Sequence, residues 1–186
     1  GRRSGETALL SGLLADADRT LISEVPVDAE RLAQFASADH AANPSRYCVI
    51  VAAEGVTLEG GAEVEHGEED AYGRRKLGGI GEVIGAEIKQ RTGLDTIVQR
   101  LAYMMRSGPP DSFDRMLATG FATMAVELVE QKRFGRFCAV QGGKYVALDA
   151  DAPSKGRRGV DVARNYDSEA YRPRIRAMDG RPAFIG

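Results

Sequence analysis

Seven consecutive residues, Tyr47-Cys-Val-Ile-Val-Ala-Ala53, carry no charge and are mostly β-branched or small and apolar. A strand with one wet face alternates polar and apolar side chains, so an unbroken run of this length predicts a strand buried on both faces. Such strands belong to parallel sheets covered by helices on both sides. The flanking sequence agrees. Ala8, Leu9, Leu13 and Leu14 give Ser4 to Ala15 a helical spacing, and Thr20-Leu-Ile-Ser-Glu-Val25 reads as a short strand. Asp28 is placed to cap a helix from about Ala29 to Ala38, which stops before an Asn43-Pro44-Ser45 turn. The predicted class is α/β: an open, mainly parallel sheet with helices on both faces and right-handed crossovers.

Between Val56 and Lys76 the chain turns acidic and glycine-rich. Dense carboxylates without ordered spacing read as a solvated surface loop rather than a metal site. Gly79, Gly81 and Gly85 do not make a dinucleotide fingerprint, and Ile80, Val83, Ile84 and Ile88 continue them as one helical stripe ending at Gly93. Ile97 to Met105 reads as the next strand. Gly108-Pro109-Pro110 then forces a change of direction, and Asp111 caps a long amphipathic helix bearing Phe113, Met116, Leu117, Phe121, Met124, Leu128 and Val129. Arg136 to Gln141, the Gly142-Gly143 turn and Lys144 to Asp149 make a hairpin. The remainder is rich in Arg and Tyr, with a short helix expected around Asp167 to Ile175.

A net charge of −2 and a pI near 5.8 leave no basic field for nucleic acid or anionic lipid. No apolar run approaches the roughly 18 residues of a membrane helix. Cys48 and Cys138 lack metal-type spacing and read as reduced core residues, which fits a cytoplasmic protein. The first residues show neither a signal sequence nor an initiator Met, so the chain reads as a portion of something longer.

The chemistry concentrates at predicted strand ends. An Arg guanidinium matches phosphate oxygens bidentately, and ligands of open α/β sheets gather at the carboxyl ends of the strands. Glu54, Tyr103 and Arg106 all fall at or just after two such ends. Taken singly, Arg106 also reads as a surface ion pair, Glu54 as a solvated strand end and Tyr103 as a packing ring.

Together, Gly1-Arg2, Ala53-Glu54-Gly55 and Arg106-Ser-Gly-Pro-Pro-Asp-Ser-Phe-Asp114-Arg115 resemble three motifs of the phosphofructokinases, in the same order. Those motifs are a Met-Gly-Arg turn leading a helix, a strand ending in an acidic residue and Gly, and a strand ending in a basic motif before Gly-Gly-x-Pro-x-x-x-Asp-Arg. The resemblance covers nearly the whole chain and weakens after about Ala150. It implies that Gly1 and Arg2 lie against the substrate, with Arg2 stabilising charge near the transferred phosphoryl group. Glu54 would hold sugar hydroxyls, and Tyr103 with Arg106 would grip the 6-phosphate. The implied reaction is phosphoryl transfer to the 1-hydroxyl of fructose 6-phosphate, giving fructose 1,6-bisphosphate, in a homo-oligomer.

The bacterial ATP-dependent members carry His-x-Gln-Arg-Gly-Gly where this chain has Tyr103-Met-Met-Arg-Ser-Gly, which is more similar to the pyrophosphate-dependent and plant-like branch. A further family Arg aligns with Ile97, and Arg100 is the candidate substitute ligand for phosphate. Neither the family's Gly-Gly-Asp loop nor its Thr-Ile-Asp-Asn-Asp motif occurs here. The resemblance therefore implies that the donor cradle for pyrophosphate or ATP, the general base and the Mg²⁺ ligands belong to a missing N-terminal half, and that this chain alone is inert. The expected organisation is a sugar-phosphate-binding domain over 1–107, a helix and hairpin over 108–150 that pack on the missing half, and a tail over 151–186. A non-catalytic sugar-phosphate sensor and a purely structural module are the alternatives.

Overall fold

The computed structural model describes residues 3–61, 65–66, 76–77, 79–156 and 159–174. In chain order the elements are α1 (Glu6–Leu14), β1 (Arg19–Leu21), α2 (Ala29–Ala42), β2 (Ile50–Ala52), β3 (Glu65–His66), β4 (Lys76–Leu77) and α3 (Ile80–Thr92). A 3₁₀ turn, Ala102–Arg106, precedes α4 (Ser112–Glu130), β5 (Arg136–Gln141) and β6 (Lys144–Asp149). After a second 3₁₀ turn, Ala152–Ser154, come α5 (Val162–Asn165), β7 (Tyr166–Asp167) and β8 (Arg172–Pro173). The chain divides into two units, one drawn from Gly1–Arg100 with Arg158–Arg176 and the other from Leu101–Arg157 with Ala177–Gly186.

In the first unit β1 and β2 pair in parallel, giving the α/β character the sequence predicts. β2 is shorter than the apolar run around it, and Ile50, Val51 and Ala52 are half-buried, not enclosed on both faces. Leu21, Ile22, Val27, Leu32 and Val56 are the most deeply buried aliphatic side chains, each worth about 1.5–3 kcal/mol when removed from water. Asp28 caps α2 as expected, its carboxylate accepting from the N–H groups of Glu30 and Arg31. The helix runs one turn past Ala38 and stops at Asn43, whose extended backbone is what a following proline imposes. α3 starts at Gly79, φ 86°, ends at Gly93, φ 74°, and buries Ile80, Ile84 and Ile88. Most of the acidic stretch lies outside the described residues; within it β3 and β4 form a short antiparallel pair where a loop was expected.

Two corrections apply, one just after α3 and one at the end of the unit. The strand expected over Ile97 to Met105 is not formed. A Cβ on Gly85 would meet Thr96 Oγ1 at 2.8 Å, and one on Gly81 would meet Val98 at 3.0 Å. Thr96 and Val98 thus lie against α3, while Ile97 between them is 89% exposed. No ladder partner is present among the described residues, and Ala102–Arg106 turns as a 3₁₀ helix. The helix expected around Asp167 to Ile175 is instead the β7–β8 hairpin, and its Tyr166 and Tyr171 enter the core.

Arg19 on β1 is itself buried. Its Nε and Nη2 donate to the two oxygens of Asp39 at 2.6 and 2.8 Å, and its Nη1 donates to the Ala170 carbonyl at 2.6 Å. The guanidinium also stands 4.0 Å over the Phe35 ring. Nearby Cys48 is a free, half-buried thiol. Burial, reinforced by the charges of Asp18 and Asp39, pushes it up to about 12. Because the thiolate is the reacting species, Cys48 is expected to stay largely unlabelled by a thiol reagent at pH 8 in the folded protein and to react on unfolding. Mass spectrometry of labelled peptides checks this; fast native labelling of Cys48 would refute it.

In the second unit Asp111 caps α4 by accepting from Asp114 N–H at 2.8 Å. β5 and β6 form the predicted hairpin, with both turn glycines at positive φ, 55° and 73°. Gly120 lets Tyr145 lie against α4, since a Cβ there would sit 2.2 Å from the phenol oxygen. Phe121 meets the same ring edge-on at 5.6 Å. Leu128 is buried, whereas Met116, Val126 and Val129 on the same helix are exposed. No helix among the described residues is long and apolar enough to cross a membrane.

Candidate functional site

The register Arg19↔Ile50, Thr20↔Val51, Leu21↔Ala52 brings the carboxyl ends of β1 and β2 to one edge. At the end of β2, Ala53 N–H donates to the Leu21 carbonyl at 2.9 Å, and the Ala53 carbonyl accepts from Val56 N–H at 3.2 Å. This closes a tight turn over Glu54 and Gly55. Ala53 and Val56 are buried while Glu54 is exposed, so the turn presents an acidic residue at the edge where open α/β sheets take their ligands.

At the end of β1 stands a second carboxylate, Glu24, which sequence reasoning passed over because it counted Glu24 inside the strand. Gly5 N–H donates to both of its oxygens at 3.0 Å, and Val160 N–H donates to Oε1 at 2.9 Å. β1 ends at Leu21, so a carboxylate three residues further on belongs to the strand's exit.

Tyr103 and Arg106 share the 3₁₀ turn Ala102–Arg106 in the second unit, not a strand end as predicted. Tyr103 is 82% exposed. The turn is closed by Ser107, whose N–H and Oγ both donate to the Met104 carbonyl, at 3.3 and 2.9 Å. Gly108 comes next at φ 92°, a conformation that suits glycine. Arg100 belongs to the first unit, where its guanidinium pairs with Glu82 of α3. Gly1 and Arg2 lie outside the described residues. Among the described residues no three His, Cys, Asp or Glu side chains converge as metal ligands.

A family profile described as Phosphofructokinase matches residues 1–129. The chain belongs to the phosphofructokinase family. Among its relatives are the pyrophosphate–fructose 6-phosphate 1-phosphotransferase of Amycolatopsis methanolica, 34% identical over 92% of this chain and 50% of the relative, and that of Thermoproteus tenax, 36% identical over 84% and 44%. An ATP-dependent 6-phosphofructokinase 3 of Streptomyces coelicolor is 34% identical over 91% of this chain and 50% of its own. The chain thus spans about half the length of these curated relatives. The crystal structure of a pyrophosphate-dependent phosphofructokinase from Marinobacter aquaeolei matches 91% of this chain and 42% of its own, with a TM-score of 0.64 at 18% identity. That likeness shows a phosphofructokinase fold.

Proposed function

We propose that the protein carrying this chain transfers a phosphoryl group from pyrophosphate or ATP to the 1-hydroxyl of fructose 6-phosphate. The observation that carries the reading is Glu54, exposed in a tight turn at the carboxyl edge of the parallel pair, in a chain that matches the phosphofructokinase profile over residues 1–129. Glu54 is assigned to the sugar hydroxyls, Tyr103 and Arg106 to the 6-phosphate, and Gly1 with Arg2 to the substrate beside the transferring group. Transfer of this kind depends on positioning and on neutralising the charge of the phosphoryl oxygens, which is what hydroxyl acceptors and guanidinium forks provide. The described residues do not fit a magnesium site, so no step is assigned to the metal; its ligands would come from the portion of the relatives that this chain does not span. Pyrophosphate is the favoured donor, supported by the Tyr103-Met-Met-Arg-Ser form and by relatives named for it. Free, half-buried Cys48 and Cys138 support a cytoplasmic setting. Homo-oligomerisation rests on the family alone.

In the full-length protein Arg106→Ala is expected to raise the apparent constant for fructose 6-phosphate ten-fold or more, roughly 1.4 kcal/mol. An unchanged constant would remove Arg106 from the site. Arg100→Ala should also weaken binding if Arg100 exchanges Glu82 for phosphate, and wild-type binding would eliminate that substitution. Assays with each donor resolve the choice between them, and binding without turnover with either would favour a sensor.

A further inference from the structure

Met104 is 72% exposed and Met105 46%, both within the 3₁₀ turn Ala102–Arg106 of the second unit. In sequence they stand between Tyr103 and Arg106, the residues assigned to the 6-phosphate. A methionine in a core fills gaps with its flexible thioether, a use that so open a position as Met104 does not offer. The backbone of Met104 also closes the turn, its carbonyl accepting from Ser107 N–H at 3.3 Å and from Ser107 Oγ at 2.9 Å. Met116 on α4 is 60% exposed as well, so it shares the chemistry of Met104 without its position, while Met124 on the same helix is half-buried.

We infer that Met104 is a site of reversible oxidation whose sulfoxide weakens the hold on the sugar phosphate, an inference that rests on the proposed function. The thioether sulfur attacks hydrogen peroxide: an S–O bond forms as the O–O bond breaks, the sulfur gives up two electrons, and water leaves. The product replaces an apolar, flexible side chain with a polar one, and methionine sulfoxide reductases reverse the change. The new oxygen carries partial negative charge and only accepts hydrogen bonds, as the oxygens of a phosphate do. It therefore competes with the phosphate for the donors of the turn, the Tyr103 hydroxyl and the Arg106 guanidinium, which bind an anion by charge-assisted hydrogen bonds. It also competes with the Met104 carbonyl for the Ser107 hydroxyl that closes the turn.

The test treats the full-length protein with hydrogen peroxide and then with dithiothreitol, which restores thiols and leaves sulfoxides in place. Peptide mass spectrometry locates the sulfoxides, and kcat and KM for fructose 6-phosphate are measured beside them. Met104 is expected to oxidise in the native protein, with KM rising about three-fold or more, the scale of one lost hydrogen bond, and kcat changing less. Methionine sulfoxide reductase should bring KM back. Met104→Leu conserves volume, so it should keep the untreated KM and make it indifferent to peroxide, while Met116→Leu stays sensitive. Met104→Gln, which carries a carbonyl oxygen near the place of the sulfoxide oxygen, should raise KM without any oxidant. The inference is overturned if Met104 stays reduced in the native protein, or if the peroxide effect persists in Met104→Leu. An unchanged KM in protein bearing the Met104 sulfoxide also overturns it when Arg106→Ala raises KM. Wild-type KM in Arg106→Ala would instead sink the reading of the site itself.

Discussion

Arg19→Met is expected to lower the unfolding free energy of the first unit by about 3–5 kcal/mol, the cost of breaking a buried ion pair from one side. The Asp39 side chain is only 12% exposed. Without Arg19 the cation left beside it is Arg172, at 3.6 Å. The Ala170 carbonyl would also lose the Nη1 donor that now stands 2.6 Å away, and Phe35 would lose the guanidinium over its ring. Methionine fills much of the volume, so the expected loss is electrostatic and not a cavity effect. The discriminating measurement is a double-mutant cycle in urea, monitored by circular dichroism since the chain has no Trp. Arg19→Met with Asp39→Leu should be markedly less destabilised than the sum of the singles, because no charge is then left buried alone. Additive losses would show that the pair is not coupled.

Tyr171→Ala is expected to cost a similar amount, about 3–5 kcal/mol, by opening a cavity in the core. The ring is wholly buried and meets Phe35 edge-on at 6.1 Å. Its hydroxyl accepts from Asp28 N–H and from Arg31 Nη2, both at 2.9 Å, while its carbonyl accepts from Thr20 N–H at 2.8 Å. The residue does this at φ 50°, a backbone region that bulky side chains rarely adopt. Packing and three hydrogen bonds outweigh that strain. Tyr171→Phe keeps the ring and removes the acceptor, so it should cost only about 1–3 kcal/mol. Equal losses for the two substitutions, read from urea midpoints at constant slope, would show that the ring contributes nothing beyond its hydroxyl.

These two sites mark the limits of reading the chain alone. The cap of α2 at Asp28, the end of α3 at Gly93, the cap of α4 at Asp111 and the Gly142-Gly143 hairpin were legible because each is set by residues within one or two turns of itself. The Tyr47 to Ala53 run correctly pointed to parallel pairing but overstated its burial. The strand predicted over Ile97 to Met105 does not form: Val98 rests against Gly81 and Gly85 of α3, and Ala102–Arg106 turns as a 3₁₀ helix. Tyr166 and Tyr171 carried no local signal of core membership, for Tyr171 reaches Asp28 across 143 residues of sequence.

The candidate site divides along the same line. Glu54 was legible as an acidic residue closing an apolar strand. Glu24 was not, because its role depends on Gly5 and Val160, which are 19 and 136 residues away. Propensity, capping and turn chemistry act over a few residues, so the sequence determined by itself the caps of α2 and α4, the end of α3 at Gly93, the β5–β6 hairpin and the residue types of a phosphofructokinase motif set. That Glu24 is held by backbone amides of Gly5 and Val160, and which tyrosines fill the core, was decided only by tertiary structure, since burial and hydrogen-bond satisfaction belong to segments that meet after the chain has folded back on itself.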